Sequence, residues 1–216
     1  MIRDRKRWLG VLAGGSLPEE ILRSWANGAD ELLAADGAAD RLISMGILPS
    51  VTIGDLDSLV ANRESLPKVI QIDEQMTTDC DKLLSYAADM GADEIFLIDV
   101  EGGFVDHFLA SLQSAFRIPI DVTIVFQSGI GKVLRGPVEW AQKMPGRFSL
   151  IPFSICEGVE LTGAKWSLGC TTLDPMGQSS ISNQSISRDI PVQIKMDKGI
   201  ALAFYAEDVS LGWDII

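Results

Sequence analysis

The sequence predicts an α/β N-terminal domain with a mostly parallel sheet, residues 1–130. An all-β sandwich or barrel domain follows, residues 131–216. Three observations predict this. Short apolar runs alternate with helix signals up to about Gln127, the pattern of βαβ units. Ile95–Ile98 is apolar throughout and Val122–Phe126 nearly so, as strands buried on both faces are. After Gln127 helical periodicity fades, and Gly129, Gly131, Gly136 and Gly146 punctuate short runs, as in antiparallel strands joined by tight turns.

The elements follow in order. Trp8–Ala13 reads as a first strand, closed by Gly14 and Gly15. Ser16 and Glu19 have capping-box spacing with Pro18 between them, so a helix should begin there. Leu32–Ala35 is a second strand, and a helix through Leu42 and Ile43 stops at Gly46. Val51–Ile53 and Val69–Ile72 are further strands. Thr78 caps a helix with Asp79 and Asp81 in its first turn, an apolar face of Leu83, Leu84, Ala87 and Ala88, and Gly91 as its stop. Ile95–Ile98 is a strand, Asp106–Phe116 a helix and Val122–Phe126 a strand. In the second domain Phe148–Phe153, Gly158–Leu161, Ile190–Met196 and Ile200–Tyr205 read as strands, with a helical turn expected near Trp140.

Composition narrows the function. Thirty acidic residues against 18 basic give a formal net charge of -12. Such a surface repels a phosphate backbone, so no nucleic-acid partner is expected. Cys80, Cys156 and Cys170 are odd in number and form no CxxC. That argues against a disulfide framework or a thiolate zinc site and points to the cytoplasm. Arg3, Arg5, Lys6 and Arg7 precede Trp8–Ala13, a stretch too short for a signal peptide's apolar region. No apolar run approaches bilayer length, so no membrane association is expected.

Aspartates gather at one structural place. Asp36, Asp55 and Asp99 each stand at the carboxyl end of an expected parallel strand, where open α/β sheets bind ligands. Asp57 follows Asp55 by two residues, and Asp79 opens a helix. Two carboxylates on one short loop repel unless a cation lies between them. Magnesium, with its preference for carboxylate and phosphate oxygens, is the expected ion. Gly14-Gly15 and Gly102-Gly103 lie between strands and helices, where backbone N–H groups can cradle phosphate. There is no GxxxxGK[ST], so a P-loop is excluded. His107, the only histidine, sits beside Asp106 in the first turn of a helix.

In this order the motifs resemble those of the thiamine pyrophosphokinase family. They are Asp36-Gly37-Ala38-Ala39, Gly54-Asp55-Leu56-Asp57-Ser58, Gln75 with Thr78-Asp79 and Lys82, and Gly102-Gly103 with Asp106-His107. Gly163-Ala164-Lys165-Trp166-Ser167-Leu168 and Ser180-Ile181-Ser182-Asn183 continue the resemblance into the second domain. The resemblance implies diphosphate transfer from ATP, the co-substrate, to thiamine, with release of AMP. It implies a homodimer with sites between the subunits. It also implies metal ligation by Asp36, Asp55, Asp57 and Asp79, with Asp55, Asp57, Asp79 and Asp106 as the catalytic carboxylates. Gly37, Ser58, Gln75, Thr78, Lys82, Gly102, Gly103 and His107 would hold the nucleotide. Trp166, Ser180 and Asn183 would meet thiamine.

Three positions depart from the family pattern. Phe104 stands where an arginine follows the glycine pair, Met76 at an acidic position, and Cys80 at a hydrophobic or aromatic one. Two alternatives therefore stand beside thiamine diphosphokinase. One is a diphosphokinase for another hydroxymethyl heterocycle, such as a pterin. The other is a non-catalytic thiamine or nucleotide sensor.

Overall fold

The computed structural model describes residues 6–144 and 146–215. Arg3 and Arg5 of the basic lead-in lie outside the described residues. The chain divides after Gln127 into two compact units. The second runs from Ser128 to Asp208, and from Val209 the chain rejoins the first.

The first unit alternates strand and helix: β1 (Trp8–Val11), α1 (Glu19–Asn27), β2 (Glu31–Ala35), α2 (Asp36–Ser44), β3 (Val51–Gly54), β4 (Val69–Gln71), α3 (Asp79–Asp89), β5 (Glu94–Ile98), α4 (Val105–Arg117) and β6 (Asp121–Phe126). All its strand pairs are parallel, in the order β6-β5-β1-β2-β3-β4. Helices cover the sheet, so its central strands are buried residue after residue, as at Trp8–Val11 and Val51–Gly54. Strand order reverses between β1 and β5. The chain steps outward from β1 to β4 and then returns to the other side of β1, which opens a crevice at that switch point.

Local chemistry sets the helix starts. Thr78 accepts the Asp81 N–H at 3.1 Å, and the Asp81 carboxylate accepts the Thr78 N–H at 3.1 Å, so α3 begins with a complete capping box. The capping box expected at Ser16 does not form. Helix α1 starts at Glu19 behind Pro18, with no side-chain cap. The reason lies in the preceding loop, where the Leu17 N–H donates to Asp99 Oδ1 at 3.1 Å and so fixes the chain before the helix begins.

The C-terminal segment departs from the expected 131–216 domain. Val209–Ile215 winds as a 3₁₀ segment against α1 of the first unit. Trp213 Nε1 donates to the Trp25 carbonyl at 2.7 Å, and Trp25 Nε1 to the Val209 carbonyl at 2.9 Å. The rings of Trp25, Phe96 and Trp213 lie within 4.8–5.9 Å of one another. A Cβ at Gly28 would run into the Trp213 ring. These aromatic contacts outweigh the chain's continuity with the β unit. Trp213→Ala should therefore lower stability by about 3 kcal/mol, the scale of a large aromatic truncation. Urea unfolding checks it; a loss well under 1 kcal/mol would make the segment peripheral.

The second unit contains β7 (Gly129–Arg135), β8 (Val138–Gln142), β9 (Arg147–Pro152), β10 (Cys156–Thr162), β11 (Leu168–Leu173), β12 (Ser180–Gln184), β13 (Val192–Met196) and β14 (Ile200–Tyr205). They form two antiparallel groups, β12-β9-β14-β7 and β11-β10-β13-β8. The helical turn expected near Trp140 is instead strand β8. Val138–Gln142 pairs residue for residue with β13, Trp140 opposite Ile194, and this ladder overrides the local signal.

Candidate active site

Two loops frame the crevice at the switch point, one after β1 and one after β5. The Gly14 N–H donates to the Asp99 carbonyl at 2.8 Å. A Cβ at Gly14 would strike the carbonyl oxygens of Asp99 and Glu101, and one at Gly102 would strike that of Gly14. The loops touch backbone to backbone, which only glycine permits at these points. Asp99 is 1% exposed and has φ +61. Arg41, from α2, donates to Asp99 Oδ2 and to the Leu17 carbonyl. Asp99 thus serves as an internal strut, unlike the ligand-facing group in which its strand-end position put it. Arg41 is spent on that strut. Nothing local in the sequence marks Arg41 as the partner of Asp99, 58 residues away.

The crevice is a groove of about 590 Å³. Asp55, Gln75, Thr78, Asp79, Lys82, Gly102, Gly103, Asp106 and His107 all line it, with Phe104 among them. Asp36, Gly37, Asp57 and Ser58 do not line it. The Asp57 side chain is exposed, and its N–H donates to Asp55 Oδ1 at 3.1 Å. Gly37 lies next to Ser58 and Ala13, so both sit beside the groove rather than on its wall.

The carboxylates differ in state. The Asp57 N–H and then Gln75 Nε2, at 3.2 Å, hold the Asp55 carboxyl below the usual range. Asp36 is 3% exposed at the start of α2. Its Oδ1 accepts the Gly37 N–H at 2.6 Å, while Oδ2 is buried with no hydrogen-bond partner. Burial, followed by the charges of Asp79 and Asp55, holds its carboxyl above the usual range. An orphaned buried carboxylate oxygen within the electrostatic reach of two further carboxylates suits a hard divalent cation with oxygen ligands. Among the described residues no three carboxylates converge in ready-made metal geometry, and magnesium commonly completes its shell with phosphate oxygens and water.

Lys82 supplies the positive charge. It lies one turn into α3, 6% exposed, with its ammonium 3.4 Å from Asp79 Oδ1. Among the described residues it is the only lysine or arginine lining the groove. The N-terminus of α3, with Thr78 as its cap, also opens on the groove and adds the positive end of a helix dipole. On the β5 side, Asp106 Oδ1 accepts the His107 N–H at 3.0 Å. The His107 ring lies 5.9 Å from that of Phe104, which precedes α4 at 75% exposure.

Cys80 is buried against the Ser111 carbonyl. Burial, with the Asp81 charge, pushes its thiol up to about 12. It fills space, which accounts for its standing at a hydrophobic position. Cys156 is buried as well and its thiol is raised by burial. Cys170 is exposed. Iodoacetamide at pH 8 should therefore label Cys170 alone in the native protein, read by peptide mass; labelling of Cys80 at a similar rate would contradict this packing.

In the second unit Trp166 is exposed on the loop before β11. The Lys165 ammonium lies 4.7 Å from its ring centroid, a contact the sequence reading missed although the two are adjacent. Asn183 is 2% exposed. Its Oδ1 accepts the Trp166 N–H at 3.2 Å, and its Nδ2 donates to the Trp166 carbonyl at 2.8 Å and to Ser180 Oγ at 3.1 Å.

Fold and groove together define an open α/β unit of the kind that takes its ligand at a switch point, followed by an antiparallel β unit. Residues 22–126 match the family model of the thiamin pyrophosphokinase catalytic domain, and residues 141–201 that of its vitamin B1 binding domain. The chain belongs to the thiamin pyrophosphokinase family. The thiamine pyrophosphokinase of Bacillus subtilis is 26% identical over 193 residues, covering 82% of this chain and 89% of that protein. Its crystal structure superposes with a TM-score of 0.76 at 24% identity, over 94% of this chain and 100% of that one. Yeast thiamin pyrophosphokinase gives a TM-score of 0.78 at 16% identity, over 99% and 90% respectively.

Proposed function

We propose that this chain is a thiamine diphosphokinase, moving the β,γ-diphosphate of ATP to the hydroxyl of thiamine to give thiamine diphosphate and AMP. The observation that carries the reading is the switch-point groove. It gathers Asp55, Asp79, Asp106, Lys82 and a glycine pair on one wall system, in a chain matched by both thiamin pyrophosphokinase family models.

In the transfer the thiamine oxygen bonds to the β-phosphorus, and the bond from that phosphorus to the bridging α–β oxygen breaks. AMP leaves with that oxygen, and the hydroxyl proton passes to a groove carboxylate. Such a step depends on alignment and charge neutralisation. Asp36, Asp55 and Asp79 would hold magnesium, which when bound neutralises phosphate charge. Asp57 would act by presenting its N–H to Asp55. Lys82 and the N–H groups around Gly102-Gly103 would hold the phosphates, Gln75 and Thr78 would fix the carboxylate loop and the α3 terminus, and His107 would border the nucleotide. Trp166 and Ser180 would meet thiamine, whose cationic thiazolium suits an indole face.

The reading brings with it a cytoplasmic homodimer whose sites lie between subunits; sedimentation analysis tests the dimer. Among the described residues no helix is long and apolar enough to cross a membrane. The deciding experiment incubates the protein with ATP, magnesium and thiamine and follows thiamine diphosphate and AMP by mass spectrometry. Products in equal amounts are expected. Binding of both substrates without products would favour the sensor, and AMP formed only with another hydroxymethyl heterocycle would move the acceptor.

A further inference from the structure

Asn183 sits where a regular strand would not put it. Along β12 and β9, Ser180 pairs with Leu150 and Asn183 with Phe148, so β12 carries one extra residue between them. Ser182 takes up the irregularity with φ +59, and its N–H donates to the buried Ser149 Oγ at 3.0 Å. A bulge of this kind re-aims the side chain that follows it. Ile181 is exposed, yet Asn183, two residues on, is turned inward.

The re-aimed amide is fully used. Oδ1 accepts N–H groups from Trp166 and, at 2.8 Å, from Gln184, while Nδ2 donates both its hydrogens, to the Trp166 carbonyl and Ser180 Oγ. An amide has two donors and one acceptor oxygen, so no donor is left for a ligand. Main-chain bonds complete the clasp. Lys165 N–H donates to the Gln184 carbonyl at 2.8 Å, and Ile186 N–H to the Gly163 carbonyl at 3.1 Å. The indole itself stays exposed, with Lys165 over one face.

We propose that Asn183 is a positioning residue. It locks the backbone of Trp166 so that the indole stands as a preset platform for the acceptor, and it does not itself touch the ligand. This rests on the reading of Trp166 as the surface that stacks on thiamine. Bonds to the peptide groups on either side of the Trp166 Cα remove the loop's freedom before binding, and that preorganisation strengthens stacking without adding a contact.

A double-mutant cycle read by calorimetry tests it, with thiamine and ATP titrated separately into wild type, Asn183→Ala, Trp166→Ala and the double variant. Trp166→Ala should weaken thiamine about 2- to 30-fold, the range for a cation on an aromatic face. Asn183→Ala should weaken it by no more than that and leave ATP affinity unchanged. The double variant should lie within about 2-fold of Trp166→Ala alone, because the two losses are one loss. Losses that multiply would show that Asn183 meets thiamine directly and would overturn the proposal, as would an equal loss of ATP affinity. If Trp166→Ala leaves thiamine binding intact, the platform reading fails first and the proposal with it. Asn183→Asp guards against misfolding of the alanine variant. It keeps the acceptor for the Trp166 N–H, removes the Nδ2 donors, and should give the same non-additive, thiamine-selective loss.

Discussion

Asp55→Asn is expected to lower magnesium-dependent turnover by about 10²-fold or more, while Asp57→Asn costs far less. A metal's neutralisation of charge contributes several kcal/mol to such a barrier, on the order of a hundredfold or more in rate. Asp55 lines the groove, and the Asp57 N–H and Gln75 aim and ionise its carboxylate. An asparagine would keep the shape but lose the charge, and its NH₂ would face the donors that now hold Asp55. On this proposal Asp57 contributes through its backbone N–H, which asparagine retains, while its own side chain is exposed. Steady-state rates across a magnesium titration check both variants. A wild-type rate for Asp55→Asn would remove this residue from the site, and equal losses in both would return Asp57 to the metal.

The GDxDS loop shows where sequence reading reaches its end. Its place after a buried parallel strand was legible, because strands covered on both faces are largely apolar and the turn that follows is not. Which of two alternating carboxylates faces the ligand depends on loop dihedrals, here Leu56 at φ +68, and composition does not encode that. Asp99 failed for a related reason. Its strand-end position matched the pattern, but Arg41 and the Leu17 N–H hold it inside, across 58 and 82 residues of chain. The Thr78 cap was legible because its partner lies within four residues, and the box expected at Ser16 did not form because Asp99, distant in sequence, holds the Leu17 N–H and fixes the chain ahead of α1. In the β unit, β11 and β12 are mostly exposed strands without regular alternation, so neither gave a signal of its own. The bulge that buries Asn183 is visible only once β9 supplies the register.

Lys82→Ala should be the most damaging loss of any single lysine, about 10²- to 10³-fold in turnover, as for removal of one preorganised donor to a developing charge. Its ammonium is nearly buried, its contact to Asp79 is long at 3.4 Å, and among the described residues no other lysine or arginine lines the groove. Arg41, the arginine of α2, is held by Asp99. Phe104 makes this dependence sharper. It occupies the groove position where the family pattern has an arginine, and a phenyl ring gives phosphate no donor. Phe104→Arg should therefore keep or raise the rate with ATP and thiamine, because the exposed site leaves room for a planar cation beside Gly103. It should also soften the Lys82→Ala defect in the double variant, since either cation can then meet the same phosphate charge. The opposing view makes Phe104 part of a pocket for a different acceptor. Steady-state kinetics of both single variants and the double with thiamine decide the matter. A fall in thiamine turnover on Phe104→Arg, with no rescue of Lys82→Ala, would favour that other acceptor.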